Sequence, residues 1–211
     1  MSVLTEISTF LQQGKAAMVK ELVAKALQEG LTAQEILNDG LLAGMGVIGA
    51  KFKNNEVYVP EVLIAARAMN AGMEVLKPVL VSSDTASKGK VILGTVKGDL
   101  HDIGKNLVKI MLEGKGLQVI DLGTDVAPQA FVDAAINENA NIIACSALLT
   151  TTMIVMKDVV KEAEARGIKG KVKIMIGGAP VTQNYCDTIG ADYYTADAAS
   201  AGEVAYNICQ G

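Results

Sequence analysis

Two hydrophobic rhythms divide the chain near residue 85. Over residues 1–82 the apolar positions recur at helical spacing, with no strand-like alternation between them. Between Lys15 and Leu27 they fall at Met18, Val19, Leu22, Val23, Ala26 and Leu27. Gly30 stops that helix, and Thr32 opens the next with Glu35 placed for a capping box. A further helix begins at Pro60, a residue suited to a first turn, and runs through Val62, Leu63, Ala66, Met69, Met73 and Leu76. The spacing predicts a bundle of about four helices, a helical domain over residues 1–85. The small polar stretch 82–89, SSDTASKG, reads as a linker to a second domain over residues 89–211.

From Lys90 the rhythm changes to short apolar runs separated by helical patterns. The runs are Val91–Val96, Leu117–Leu122, Asn141–Cys145, Val172–Ile176 and, more weakly, Asp192–Tyr194. Helices are predicted at Ile103–Glu113, Pro128–Asn137, Thr151–Arg166, Val181–Thr188 and Ala198–Cys209. Fully apolar strands alternating with helices predict an α/β unit, a doubly wound (Rossmann- or flavodoxin-like) parallel sheet of five strands covered on both faces. Such sheets bind ligands beyond the carboxyl ends of their strands, so those loops are where chemistry is sought.

Composition narrows the function. Half of the 211 residues are hydrophobic and a fifth are charged, as in an ordered globular protein. A net charge of −4 supplies no basic face for a phosphate backbone, which argues against nucleic acid. The N-terminus has no basic region leading into an apolar core, and no apolar run reaches membrane-spanning length, so a cytoplasmic, membrane-free protein is expected. Cys145, Cys186 and Cys209 form no CxxC pair and read as reduced, mostly buried thiols. With one histidine in the chain, a His/Cys zinc site is not expected.

That histidine, His101, lies in the loop after the first strand, Gly98-Asp99-Leu100-His101-Asp102-Ile103-Gly104. Asp99, two residues earlier, is placed to accept the imidazole Nδ1 proton, which leaves Nε2 for a metal. The flanking glycines permit unusual backbone and close approach by a bulky group. After the third strand comes Ser146-Ala147-Leu148-Leu149-Thr150-Thr151-Thr152. One hydroxyl suffices for a helix cap, so this run also suits a polar ligand surface. After the fourth comes Gly177-Gly178-Ala179-Pro180, which fits either a tight turn or a bare surface for a large flat or tail-like group.

Read together, Asp99-x-His101-x-x-Gly104, Ser146-x-Leu148 and Gly177-Gly178 resemble the signature of the cobalamin-binding domain of methionine synthase and the corrinoid methyltransferase proteins. Each piece follows the strand on which that family places it. Asp39-Gly40 to Ile48-Gly49 and Val57-Tyr58-Val59-Pro60-Glu61 resemble the helical cap that precedes the domain, so the resemblance covers nearly the whole chain. The glycines at 40, 44, 46 and 49 interrupt a helical stretch. They fit either close helix packing or contact with a broad cofactor face, with Met45 and Met69 as adaptable apolar contacts.

The resemblance implies a corrinoid (cobalamin, as methylcobalamin or cob(I)alamin) bound base-off/His-on. His101 is then the lower cobalt ligand, Asp99 its hydrogen-bond partner, and Thr152 the hydroxyl beside the aspartate. It further implies cofactor contacts from Gly98, Leu100, Asp102, Ile103, Gly104 and Ala179, and tail contacts from Ser146, Leu148, Thr150, Gly177 and Gly178. The implied role is a methyl-shuttle subunit, not catalytic alone, cycling between Co(I) and methyl-Co(III). Its implied partners are a donor-specific methyltransferase, an acceptor methyltransferase using tetrahydrofolate or a thiol, and a reductive activator of the corrinoid. Three other readings compete. A cobalamin-binding sensor or regulator usually adds a DNA-binding segment, and residues 1–82 show no basic recognition helix. The small subunit of an adenosylcobalamin mutase needs no helical cap. A plain flavodoxin-like binding module leaves the Asp99, His101, Gly104 cluster unexplained.

Overall fold

The structure, a computed structural model, describes residues 2–82 and 88–210. Most of the linker expected at 82–89 lies outside the described residues. The chain divides into two compact units, residues 1–86 and 87–211.

The first unit is helical. Helix α1 (Val3–Gln12) is capped by Ser2, whose hydroxyl accepts from Thr5 N. Helix α2 (Ala16–Gln28) buries Val19, Leu22, Val23 and Ala26. The Thr32 capping box forms as its sequence predicts: Thr32 Oγ1 accepts from Glu35 N at 3.2 Å, and the Glu35 carboxylate accepts from Thr32 N at 2.9 Å. It starts a continuous helical run made of α3 (Ala33–Glu35), a π-helical turn (Ile36–Leu42) and α4 (Ala43–Lys53). Helix α5 (Val59–Ser82) follows and continues past Pro78, which lacks the N–H a helix interior needs. Among the described residues, four helical segments therefore make the bundle, with a wider turn that periodicity does not reveal. Two of the glycines have a packing reason: a Cβ on Gly40 would lie 3.1 Å from Ile7 Cγ2, and one on Gly44 would lie 3.2 Å from the Ser8 backbone. Both permit α1 to approach closely. A Cβ on Gly46 would meet nothing within 4 Å. Leu63, expected on the buried stripe of α5, is 49 % exposed; the helix instead buries Val62, Ala65, Ala66, Met69 and Leu76.

The second unit is a five-stranded parallel sheet in the order β2-β1-β3-β4-β5. Its strands are β1 (Lys90–Thr95), β2 (Gln118–Asp121), β3 (Ile142–Ser146), β4 (Lys173–Gly177) and β5 (Tyr193–Thr195). The helices are α6 (Ile103–Glu113), α7 (Pro128–Asn137), α8 (Thr150–Met153), α9 (Val155–Ala165), α10 (Gln183–Ile189) and α11 (Ala198–Gln210). Strand alternation feeds two cores. Ile92, Ile143, Ile174 and Ile176 pack with Phe131, Val132, Met156 and Val159 of α7 and α9. Val91, Leu93, Ile142 and Met175 pack on the other face with Leu112 of α6 and Ala201 and Ala205 of α11. The chain order reverses between β1 and β3, so the loops leaving these two strands flank the switch point.

One expected helix differs. The stretch 151–166 breaks at Ile154 into α8 and α9. The Met153 carbonyl accepts the Tyr185 hydroxyl at 2.8 Å, and Lys157 N bonds the Ile154 carbonyl instead at 3.2 Å. A tertiary hydrogen bond thus takes the acceptor that would have continued the helix. Among the described residues, no helix is long and apolar enough to cross a membrane.

Candidate functional site

The site grows from the end of β1. Asp99 N donates to Val96 O at 3.1 Å, closing a four-residue turn whose third residue, Gly98, has φ +83°. Only glycine adopts that conformation without strain. The turn sends the Asp99 side chain inward, where it is fully buried.

A buried carboxylate is costly unless its lone pairs are filled, and here they are. Asp99 Oδ1 accepts from His101 N at 3.1 Å and lies 2.7 Å from His101 Nδ1. Oδ2 accepts from Thr152 Oγ1 at 2.7 Å, Leu148 N at 2.9 Å and Leu149 N at 3.3 Å. Burial alone would raise the Asp99 carboxyl. The hydrogen bonds from Thr152, Leu148 and His101 outweigh it and hold the group far below the usual carboxylate range. With donors on both oxygens and its carboxyl held low, Asp99 is an anion that only accepts. Its partner Nδ1 must carry the ring proton, which leaves the Nε2 lone pair available.

The imidazole is half-exposed (51 %), and its backbone is held as well, because the fully buried Thr95 donates its hydroxyl to His101 O at 2.8 Å. Leu100 (73 % exposed) and Ile103 (79 %) flank it in sequence, and Leu148 and Leu149 add exposed apolar surface from the loop after β3. Gly104, in the first turn of α6, faces open space: a Cβ there would meet nothing within 4 Å. Apolar side chains left in water beside a positioned imidazole mark a binding surface.

The other sequence-predicted residues sit on the same edge of the sheet. Asp102, at the start of α6, accepts from Asn106 Nδ2 at 3.1 Å. Ser146 pairs with Thr95 on one side and Gly177 on the other, which aligns the three loops. Thr150 is exposed in the first turn of α8, whose N-cap is Leu149 with no side-chain capping bond. Thr152 is the hydroxyl of that run that Asp99 takes. Gly178 and Ala179 are exposed beyond β4. Gly178 has a packing requirement of its own, since with φ +130° any Cβ would overlap the Ala147 carbonyl oxygen. Met45 and Met69 of the helical unit are buried.

Several residues of the site escape sequence reasoning. They include Thr95, Leu149 and Asp125, whose carboxylate accepts from Gly98 N at 2.7 Å. A buried ion pair lies next to them: Lys105 Nζ, 3 % exposed, reaches both Asp121 oxygens at 2.6 and 2.7 Å. Among the described residues, no three His, Cys, Asp or Glu side chains gather as a metal site. Both oxygens of the neighbouring Asp99 are taken up by hydrogen bonds, so His101 Nε2 is the atom of this pair left to hold a metal, as a macrocycle-held ion needs. Burial pushes the Cys145 and Cys186 thiols up, so neither is a ready nucleophile.

The family described as the B12 binding domain matches residues 89–207, and a second B12 binding domain family matches residues 3–77. A corrinoid protein of Desulfitobacterium hafniense is 40 % identical over 211 residues, covering 99 % of this chain and 98 % of that one. Trimethylamine corrinoid protein 1 of Methanosarcina mazei is 45 % identical over 179 residues, 84 % of this chain and 83 % of that one. Among solved structures, the methanol:cobalamin methyltransferase complex of Methanosarcina barkeri contains a chain of similar fold. It has TM-score 0.89 and 31 % identity, over 99 % of this chain and 80 % of that one. With both units matched and relatives aligned along nearly their full length, the chain belongs to the cobalamin-binding corrinoid proteins of methyltransferase systems.

Proposed function

We propose that this chain is the methyl-carrying subunit of a multi-component methyltransferase, with His101 as the protein ligand to the corrinoid cobalt. The observation that carries the reading is the buried Asp99 anion fixing Nδ1 at 2.7 Å, so that Nε2 of the half-exposed ring is presented between apolar loops. The chemistry that bound corrinoid supplies is methyl carriage, with cobalt alternating between Co(I) and methyl-Co(III).

The chain's own residues do the rest. His101 Nε2 would hold the corrinoid cobalt with the cofactor's own base displaced, the base-off/His-on mode. Asp99, whose carboxylate lies 2.7 Å from Nδ1, would hold the ring in the tautomer that presents Nε2 to the cobalt. Thr152 would keep Asp99 supplied with a hydrogen bond and so hold the carboxylate against the ring. Leu100, Ile103 and the open surface at Gly104 would meet the corrin face and, with it bound, shield the ring from water, with Gly98 and Asp102 beside them. Ser146, Leu148, Thr150, Gly177, Gly178 and Ala179 line the path of the detached nucleotide tail. Met45 and Met69 of the helical unit are proposed as further apolar contacts to the corrinoid.

The nearest chemistry for the methyl donor is that of the relatives, a methylamine or methanol, delivered by a donor-specific methyltransferase. An acceptor methyltransferase, using tetrahydrofolate or a thiol, removes the methyl group. A reductive activator restores corrinoid that has been oxidised. The cytoplasm, where such partners and reductants reside, is the proposed location. The test is the visible spectrum of methylcobalamin-loaded protein against His101→Ala. The account expects the variant to retain corrinoid but to shift its absorption toward the form without a nitrogen ligand, and an unchanged spectrum would overturn the assignment.

A further inference from the structure

We infer that Asp125, in the loop between β2 and α7, is a positioning residue that sets the His101 imidazole through Asp99. Its carboxylate accepts from Gly98 N at 2.7 Å, and its own N–H donates to Asp99 O at 3.0 Å. These bonds hold the peptide planes on both sides of the Gly98–Asp99 pair, one before Gly98 and one after Asp99. Between two fixed planes the Cα–Cβ direction of Asp99 is fixed as well, and that direction aims Oδ1 at His101 Nδ1.

The clamp matters because of what it holds. Gly98 sits at φ +83°, and glycine has the widest backbone freedom of any residue. Asp125 is itself at φ +57°, a left-handed conformation that aspartate tolerates better than most side chains. Neighbouring bonds dock the loop behind it: Thr95 N donates to Gly123 O at 2.9 Å, and Val126 N to Thr95 O at 3.0 Å. Val126 is buried. The loop is therefore anchored on both sides of Asp125, and the carboxylate has a rigid base from which to hold Gly98.

The first test needs no cofactor and does not depend on the cobalt reading. Tag-free protein contains a single histidine, so nitrogen NMR reports one imidazole and its tautomer. Asp125→Gly deletes the carboxylate while accepting the positive φ, and Asp125→Asn keeps an Oδ1 acceptor. Wild type and D125N are expected to show the Nδ1–H tautomer. D125G raises the Nε2–H fraction about fivefold, the population factor carried by one ordinary hydrogen bond. If D125G does not fold, Asp125→Ser, whose hydroxyl is too short to reach Gly98 N, carries the same expectation. A variant that loses stability but keeps the wild-type tautomer ratio would show a merely structural role and overturn the inference.

The second test rests on the proposed function. In cobalamin-loaded protein, the ratio of histidine-ligated to unligated cofactor falls about fivefold in D125G and returns in D125N. A D125G protein with the wild-type ligated fraction would overturn the inference. Wild type with no histidine-ligated fraction would instead defeat the cobalt reading, and the tautomer ratios would then decide the Asp125 proposal alone.

Discussion

Asp99 and His101 meet twice through one oxygen: Asp99 Oδ1 takes the His101 ring at Nδ1, 2.7 Å away, and the His101 backbone N–H at 3.1 Å. The second oxygen is occupied entirely from beyond β3, by the loop at Leu148 and Leu149 and by Thr152 of α8. One buried carboxylate thus ties together the two loops at the switch point and fixes the tautomer of the histidine between them. The predictions below separate that tie from the fold around it.

Thr152 supplies a side-chain hydroxyl to the bonds across the switch point. Its hydroxyl is 2.7 Å from Asp99 Oδ2 and 3.1 Å from Leu149 O, so the shorter, charge-assisted contact takes the proton. Thr152→Val is expected to lower stability by about 2 kcal/mol, as loss of a hydrogen bond to a buried charge does. Thr152→Ser should stay within about 0.5 kcal/mol of wild type. Urea denaturation of cofactor-free protein measures both, and equal values for the two variants would contradict the assignment.

The Asp99 carboxyl is held low, which sets the sign of a pH effect. A group whose folded value lies below its unfolded one, about 3.9, contributes stability that is complete above that value and is lost as pH falls through and below it. Wild type should therefore lose stability between about pH 5 and pH 3 more steeply than Asp99→Asn, which cannot titrate there. Denaturation midpoints at several pH values across that window check the slope.

Gly104 and Gly178 are both glycines of the expected signature, yet the structure gives them opposite constraints. Alanine at Gly178 would collide with the Ala147 carbonyl at φ +130°, so Gly178→Ala should destabilise the cofactor-free protein by about 3 kcal/mol or more. Alanine at Gly104 meets open space in a helix and should leave stability unchanged or raise it by up to about 1 kcal/mol. If the corrinoid lies on Gly104, the same variant binds cobalamin more weakly. Spectroscopic titration with cobalamin measures that loss, and unchanged affinity would place the cofactor elsewhere.

Lys105 and Asp121 join α6 to the end of β2 just behind the His101 loop, with Gly123 N also donating to Asp121 Oδ1 at 3.0 Å. Burial alone would raise the Asp121 carboxyl, but Lys105, Gly123 and Lys109 outweigh it and lower it. Asp121→Asn leaves the Lys105 ammonium buried without its counter-charge and should cost about 3 kcal/mol. A double variant with an apolar pair, Lys105→Met with Asp121→Leu, should recover most of that loss. Thermal and urea unfolding of the two variants test the contrast.

Local features of the chain carried the elements. Helices at Ile103–Glu113 and Pro128–Asn137 have the bounds their apolar spacing predicts, because Pro128 opens a helix and Gly114 follows one. The apolar strands gave the parallel sheet. The hydrogen bond between Asp99 and His101 was legible because the two residues are neighbours in one loop. Relations across long separations were not. Thr152 lies 53 residues from Asp99 and was named only through the family resemblance, and Asp125 lies 27 residues from Gly98 and carried no signal. The break at Ile154 depends on a hydroxyl from α10, which no periodicity within the helix records. The π-helical turn at Ile36–Leu42 is likewise invisible to an apolar count at helical spacing.

The central claim, that His101 ligates cobalt, is tested most directly by electron paramagnetic resonance of cob(II)alamin bound to protein carrying histidine labelled with nitrogen-15. One axial nitrogen splits the cobalt lines into triplets when it is nitrogen-14 and into doublets when it is nitrogen-15. Since His101 is the only histidine, any change on labelling belongs to it. The account predicts doublets with labelled histidine and triplets with unlabelled protein. Triplets that persist in the labelled protein would show that the cofactor keeps its own base, and would contradict the assignment.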